Sequence, residues 1–331
     1  MRLLRFAAVR LAGMLLVLLV VTLISYLVFF LLPADPARLA CGRPCSPEGL
    51  ANARLFMGVD VPWYQQFWNF LYGIVAGRTF GTGAAAITCA APCLGYSFQD
   101  NVDVLTLIGE RVEVSFSVAI GAAVLWLIIG VGLGVLSALK RGSAVDRITM
   151  AGAIAGVSMP AYLAGILGIT VFAFWLDVVP KGGYTPIAEN PLDWAWHLVL
   201  PWFVLAFLHA ALYARLTRGQ MLETLGEDYI RTARAKGLPE KKVIGKHALR
   251  NVLLPVITLL GIDLGSLLAG TVITERIFGM AGVGKLLVDA TAQLNLPVLL
   301  GVTLFSAFLI TFANFLVDLC YGALDPRARL L

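Results

Sequence analysis

The sequence is short of charge. Only 14% of its 331 residues are Asp, Glu, Lys or Arg, where a soluble domain carries about 25%. A chain that poor in charge cannot present a fully hydrated surface. Hydrophobic residues make up 59% and the mean hydropathy is +0.86, which places the chain among membrane proteins. Histidine is scarcer still. His197, His209 and His247 are scattered along the chain and form no HExxH pair, so that type of zinc hydrolase is excluded. No G-x-S-x-G occurs, which removes the serine-hydrolase elbow. An intramembrane protease needs Ser with His, or two Asp, inside apolar runs. Asp263 stands mid-run, but no other run carries an obvious Asp partner within its interior, and Asp318 lies near an inner end. The chain reads as no enzyme, with no cofactor of its own.

What is present is a series of apolar runs. They fall at Leu11–Leu32, Ser115–Leu139, Ile148–Val178, His197–Ala214, Val252–Thr274 and Pro297–Tyr321. The first has 22 residues, about 33 Å as a helix, enough to cross a hydrocarbon core of about 30 Å. It is too long for a signal-peptide core and reads as an uncleaved span. The third run is longer than one crossing needs and must tilt or break near Pro160. The expected fold is all-α and transmembrane. Six membrane-spanning helices carry an extracytoplasmic insert between helices one and two. Residues 1–32 form the tail and first helix, 33–110 the insert, and 111–331 the membrane core with a polar loop at 215–250. Within the insert, Glu48–Met57 reads as a helix and Val61–Val75 as a short aromatic amphipathic helix.

The net charge of +5 does not indicate nucleic acid, because Lys and Arg cluster between apolar runs. With the N-terminus inside, 17 of the 25 basic residues lie on the inner side. That bias places both termini in the cytoplasm. Four cysteines, Cys41, Cys45, Cys89 and Cys93, then fall outside, where disulfides persist. Each pair is spaced C-x-x-x-C. Disulfides, a metal site and free thiols all remain open, and four cysteines allow three pairings.

Gly279–Lys285 matches the G-x-x-x-x-G-K start of a phosphate-binding loop. Leu286 replaces the hydroxyl that would hold Mg²⁺, and no βαβ unit surrounds it. It reads as a Gly-rich turn leading into a short helix. Gly130, Gly132 and Gly134, Gly152 and Gly156, and Gly261 and Gly265 are spaced for close helix approach, at packing contacts or at a subunit interface or gate. Asp263 lies at the centre of the fifth run. An ionisable group there costs about 2.5–3.5 kcal/mol on insertion scales. It faces either a wet pathway or a hydrogen-bonding partner.

The polar segment Asp228–Arg250 is punctuated as two short helices. Glu227 and Asp228 open the first, Arg234 and Lys236 close it, and both signs suit the helix dipole. Gly237 is placed for a left-handed C-terminal stop, and Pro239 for the first turn of the next helix. Ala233, Ala235 and Gly237 read as a small-residue surface that a partner groove receives. A lipid-binding basic patch would not require such punctuation.

The string DYIRTARAKGL, with HALRN and LLPVIT after it, resembles the cytoplasmic signature of type I ABC importer permeases. It is similar to the variant of the dipeptide/oligopeptide/nickel group, B-type subunit. Arg231-Thr232-Ala233 occupies the family's E-A-A place, Gly237 matches its glycine, and His247-Ala248-Leu249-Arg250 stands where I-x-L-P falls. Leu-Pro-Ala-Asp-Pro at 32–36, Glu110-Arg111, Ser158-Met159-Pro160, Glu275 with Gly282-Val283-Gly284, and Val317-Asp318 with Leu324-Asp325-Pro326-Arg327 are also similar. The stretch Gly81–Asn101 looks like an addition to the usual loop.

The resemblance implies a bacterial inner-membrane permease that forms half of a pathway for di- or oligopeptides. Nickel, glutathione or another small solute is the alternative substrate, and a stand-alone secondary transporter the alternative class. It implies a second homologous permease, two ATPase subunits that bind ATP and Mg²⁺, an extracytoplasmic substrate-binding protein, and membrane lipid. The ATPase-coupling residues would be Asp228, Tyr229, Arg231, Thr232, Ala233, Arg234, Ala235, Lys236, Gly237, His247 and Arg250. Asp263 and Glu275 would be pathway residues.

Overall fold

The computed structural model describes residues 2–31, 37–38, 41, 45–57, 61–80 and 86–324. The strings at 32–36 and 325–327 and the Gly/Ala-rich stretch at 81–85 lie outside the described residues. The chain is mostly helical. Among the described residues, five helices are long and apolar enough to cross a membrane, or six if one bent pair counts as a single span. By Cα packing it divides into two compact units, Met1–Ser115 with Leu268–Val272 and Ala281–Phe315, and Phe116–Leu267 with Ile273–Met280 and Leu316–Leu331.

The first unit begins with α1 (Arg2–Tyr26), which runs on into a π-helical turn, Leu27–Leu31. Helices α2 (Pro47–Met57) and α3 (Trp63–Ala76) follow. Helix α3 buries Phe67 and Phe70 against Tyr26, Leu300 and Leu304, and leaves Trp68 and Tyr72 exposed. That is the amphipathic helix the aromatic pattern predicts. The insert also contains strands that its sequence did not announce. Strand β1 (Arg78–Phe80) pairs antiparallel with β2 (Ile87–Cys89), and β3 (Tyr96–Ser97) with β4 (Val102–Asp103). Each is two or three residues long, too short to show period-2 alternation. Arg78 stacks over the Phe80 ring at 4.7 Å, and burial pushes its pKa below the usual guanidinium value.

Disulfides join Cys41 to Cys45 and Cys89 to Cys93. The core of this unit packs Val104 and Ile108 at the start of α4 (Val104–Leu139) against α12 (Val283–Gln293) and α13 (Leu296–Leu324). Between α12 and α13, Leu294 turns left-handed at φ 57°. Asn295 then donates to Ser97 Oγ at 2.8 Å and to Asp100 Oδ2 at 3.1 Å. That tie fixes the insert to the turn before the last helix.

The second unit holds the rest of α4, then α5 (Ala144–Ser158) and α6 (Ala161–Gly168) with its π-helical extension Ile169–Trp175. These two helices bend by 105° at the break before Ala161. The third apolar run is therefore broken at Met159-Pro160, because a residue before proline is driven out of the α region. Met159 takes φ −88°, ψ 123°. Helix α7 (Pro191–Leu225) is far longer than the predicted fourth span. Asn190 caps it by accepting from the Leu192 and Asp193 amides.

Next come α8 (Asp228–Ala235), the single turn α9 (Glu240–Lys242) with a π-helical stretch Val243–Ala248, and α10 (Leu249–Leu268). Helix α10 stops six residues before the predicted end of the fifth span. Gly270, at φ 128°, ends the run, and α11 (Val272–Ile277) is separate.

Glycines set how closely these helices meet. A methyl on Gly134 would stand 2.6 Å from Thr217 Cβ and 2.7 Å from Ala214 O. One on Gly130 would stand 2.8 Å from Tyr213 Cβ, and one on Gly156 2.7 Å from Ala211 Cβ. So α4 and α5 both lie backbone-close on α7. The other members of the stripes, Gly132 and Gly152, face nothing within 4 Å. Overpacking a tight contact costs about 1–3 kcal/mol. Gly134→Leu is therefore expected to lower the melting temperature of the detergent-purified protein, while Gly132→Ala stays within about 0.5 kcal/mol of the parent. Equal effects of the two substitutions would contradict this packing.

Candidate functional site

The segment after α7 is built as its sequence punctuation requires. Gly226 ends α7, and α8 runs for eight residues. At its C-terminus the Gly237 amide donates to Arg234 O at 2.9 Å and the Leu238 amide to Ala233 O at 3.3 Å. These are the two bonds of a Schellman stop. Gly237 adopts φ +75°, a conformation that costs a residue with a Cβ about 1–2 kcal/mol. Pro239 takes the N-cap position rather than the first turn, with the Lys242 amide donating to its carbonyl at 2.8 Å.

Helix α8 has an inner and an outer face. Ile230 is 0% exposed. With Ala233 it fills a socket made by Val135 and Ala138 of α4, Met221, Leu222 and Leu225 of α7, and Val243, Ala248 and Val252 beyond it. Leu238 packs there too, completing the apolar contact that accompanies a Schellman stop. The outer face carries Asp228, Tyr229, Arg231, Thr232, Arg234, Ala235, Lys236 and Gly237, all exposed.

Ala233 corrects one expectation. It does not belong to a small-residue outer surface, because the helix period turns it inward with Ile230, three residues before it. The outer face is held in shape by local bonds. Arg234 donates to Glu240 at 2.6 and 3.2 Å, Thr232 Oγ1 donates to Asp228 O at 2.9 Å, and Asn251 donates to the Tyr229 hydroxyl at 2.7 Å. His247 is half-buried and Arg250 exposed, both after the α8 turn.

Asp263 lies in α10 and is half-buried. Its carboxylate accepts a hydrogen bond from the Tyr213 hydroxyl at 2.8 Å. Tyr213 is fully buried, and Trp126 lies beside it at 6.0 Å and stacks on His209 at 4.6 Å. Sequence reasoning missed Tyr213, although a tyrosine within an apolar run is a signal, since its hydroxyl needs a partner there. Glu275 differs from Asp263: it is 0% exposed. The Glu275 side chain is enclosed by its own chain in this conformation.

The Walker-like string is a packing device. The Val283 amide donates to Ser115 Oγ at 2.9 Å. A methyl on Gly284 would stand 2.8 Å from the Val272 amide nitrogen, and Leu286 is buried. The Val283 amide is thus already bonded and Gly282 and Gly284 are buried, while Gly279 at the head of the string is exposed.

A family model described as binding-protein-dependent transport system inner membrane component matches residues 130–330. A companion model, described as the N-terminal membrane component of such systems, matches residues 3–119. The chain is 37% identical over 320 residues to a Brucella abortus (strain 2308) protein named as a peptide transport system permease, with 97% of each chain covered. It is 34% identical over 333 residues to the dipeptide transport system permease protein of Escherichia coli (strain K12), covering 93% of this chain and 94% of that one. It is 36% identical over 320 residues to the glutathione transport system permease protein of Pectobacterium atrosepticum, with 97% of each covered.

Proposed function

The chain belongs to the binding-protein-dependent transport system inner membrane components, and on that premise we propose that it is one of two permease subunits of an ATP-driven peptide importer. The observation that carries this reading is α8. One side of that short helix is seated in the chain's own socket, and the other is exposed and polar. A helix presented in this way suits a groove on a separate ATPase subunit. ATP and Mg²⁺ are bound there, not on this chain. Both termini and the 215–250 loop face the cytoplasm, where the basic residues gather. The 33–110 insert faces outward, toward a substrate-binding protein.

Di- or oligopeptides are the proposed substrates, supported by the names of the Brucella and Escherichia relatives. The Pectobacterium relative's name favours glutathione as the second reading. Asp263 is proposed as a pathway residue. It is a carboxylate within an apolar helix, held by Tyr213 and still partly open, and ionisable groups inside a membrane are rare and mark substrate or ion pathways.

Two substitutions test these assignments in the complex with its ATPases. Gly237→Asp forces a Cβ into the left-handed region and misdirects the end of α8. ATPase co-purification and ATP-dependent uptake should both fall at least about tenfold, a loss of about 1.4 kcal/mol in coupling. Unchanged co-purification with full uptake would remove the docking role. Asp263→Lys should abolish uptake while ATPase association persists. Undiminished uptake would leave Asp263 a packing residue only.

A further inference from the structure

A second feature of the same region lies one helical turn from the α8 socket. Asp146, in the first turn of α5, is 5% exposed, and its carboxylate is fully engaged. Arg218 of α7 donates from Nε to Oδ1 at 2.6 Å and from Nη2 to Oδ2 at 3.0 Å. The Ser137 hydroxyl of α4 donates to Oδ1, and the Gly142 amide in the connecting turn donates to Oδ2 at 2.9 Å. The Ser143 side chain accepts from the Asp146 amide, so the α5 terminus is tied down as well. One carboxylate thus joins the end of α4, the start of α5 and the C-terminal part of α7. The paired guanidinium bonds are charge-assisted and geometrically specific.

The neighbours of these groups are the walls of the socket. Ala138 follows Ser137 directly, and Met221 is three residues after Arg218 on α7, on the same face. Both are buried against Ile230 and Ala233. A displacement of α8 therefore bears first on Ala138 and Met221. It becomes a movement of whole spans only if α4, α5 and α7 yield together at this end. Without the tie, α7 can give way locally, and motion at α8 is absorbed.

We propose that Asp146 and Arg218 are positioning residues that convert displacement of α8 into a joint movement of α4, α5 and α7. This rests on the importer reading above. It extends that reading to residues outside the docking helix. A buried ion pair is weak evidence of stability by itself, since desolvation offsets much of the attraction. The assignment rests instead on the convergence of three helices on one carboxylate beside the socket.

The test uses the complete complex, with both permeases, the ATPases and the binding protein, in proteoliposomes. The readouts are substrate accumulated per ATP hydrolysed, ATPase retention on purification, and melting temperature. Asp146→Asn keeps the shape and removes the charge, and Arg218→Lys keeps the charge and removes the fork. Both are expected to retain ATPase subunits and ATP hydrolysis. The transport ratio should fall at least about fivefold for Asp146→Asn, the low end of usual site-to-site coupling, and less for Arg218→Lys. A wild-type ratio in Arg218→Lys and Asp146→Asn, or uptake and hydrolysis falling in parallel with melting temperature, overturns the proposal in favour of a purely structural tie. If Asp146→Asn does not assemble, Arg218→Lys decides alone. Absence of ATP-dependent uptake by the wild-type complex would instead sink the importer reading itself.

Discussion

The close approach of α4 to α7 is the contact from which the functional end of the second unit follows. It exists because Gly130 and Gly134 place no side chain between the helices, and Tyr213, Ala214 and Thr217 fill that space. Within a bilayer there is no hydrophobic drive to bring helices together, so van der Waals contact between small residues must supply it. Once the axes are that close, Ser137 and Arg218 reach the same carboxylate, and Ala138 and Met221 form one wall. Ile230 then has a socket of fixed shape. Long residues at the two glycines would separate the helices and leave α8 without a seat.

That geometry separates two tasks within a few residues. The inner face of α8 is apolar, buried and specified by packing. The outer face is polar and open, and its local bonds stay within the segment between Asp228 and Asn251. A helix of eight residues is too short to be stable alone, so its persistence depends on the Schellman stop and on burial of Ile230, Ala233 and Leu238. Apart from Gly237, which forms the stop, the outer residues are consequently free to serve recognition without also filling the socket.

Much of this was legible in the sequence. Apolar runs announced the membrane helices, because a bilayer demands about twenty apolar residues in succession. The broken third run was legible from its excess length and Pro160. Gly237 announced the end of α8, since a stop that needs positive φ needs glycine. Other features were hidden for physical reasons. The strands of the insert are too short for a period to register. Ala233 was assigned outward because residue size does not report direction, whereas its spacing from Ile230 does. Tyr213 and Asp263 meet across 50 residues of sequence, and Arg218 and Asp146 across 72. Such pairings depend on helix approach, which the glycine stripes suggested without naming the partner. Ser143 and Asp146 stand three residues apart, the spacing of a helix cap, but nothing in that spacing points to Arg218 or Ser137.

The central claim is that α8 offers one face to a separate ATPase and keeps the other for its own socket. Single cysteines at Thr232, Ala235 and Ile230, treated with a short bifunctional thiol reagent in membranes containing the full complex, address it directly. The account predicts crosslinks to the ATPase subunit from Thr232→Cys and Ala235→Cys and none from Ile230→Cys. Crosslinking from Ile230→Cys alone, or from none of the three in a complex active in uptake, would contradict it.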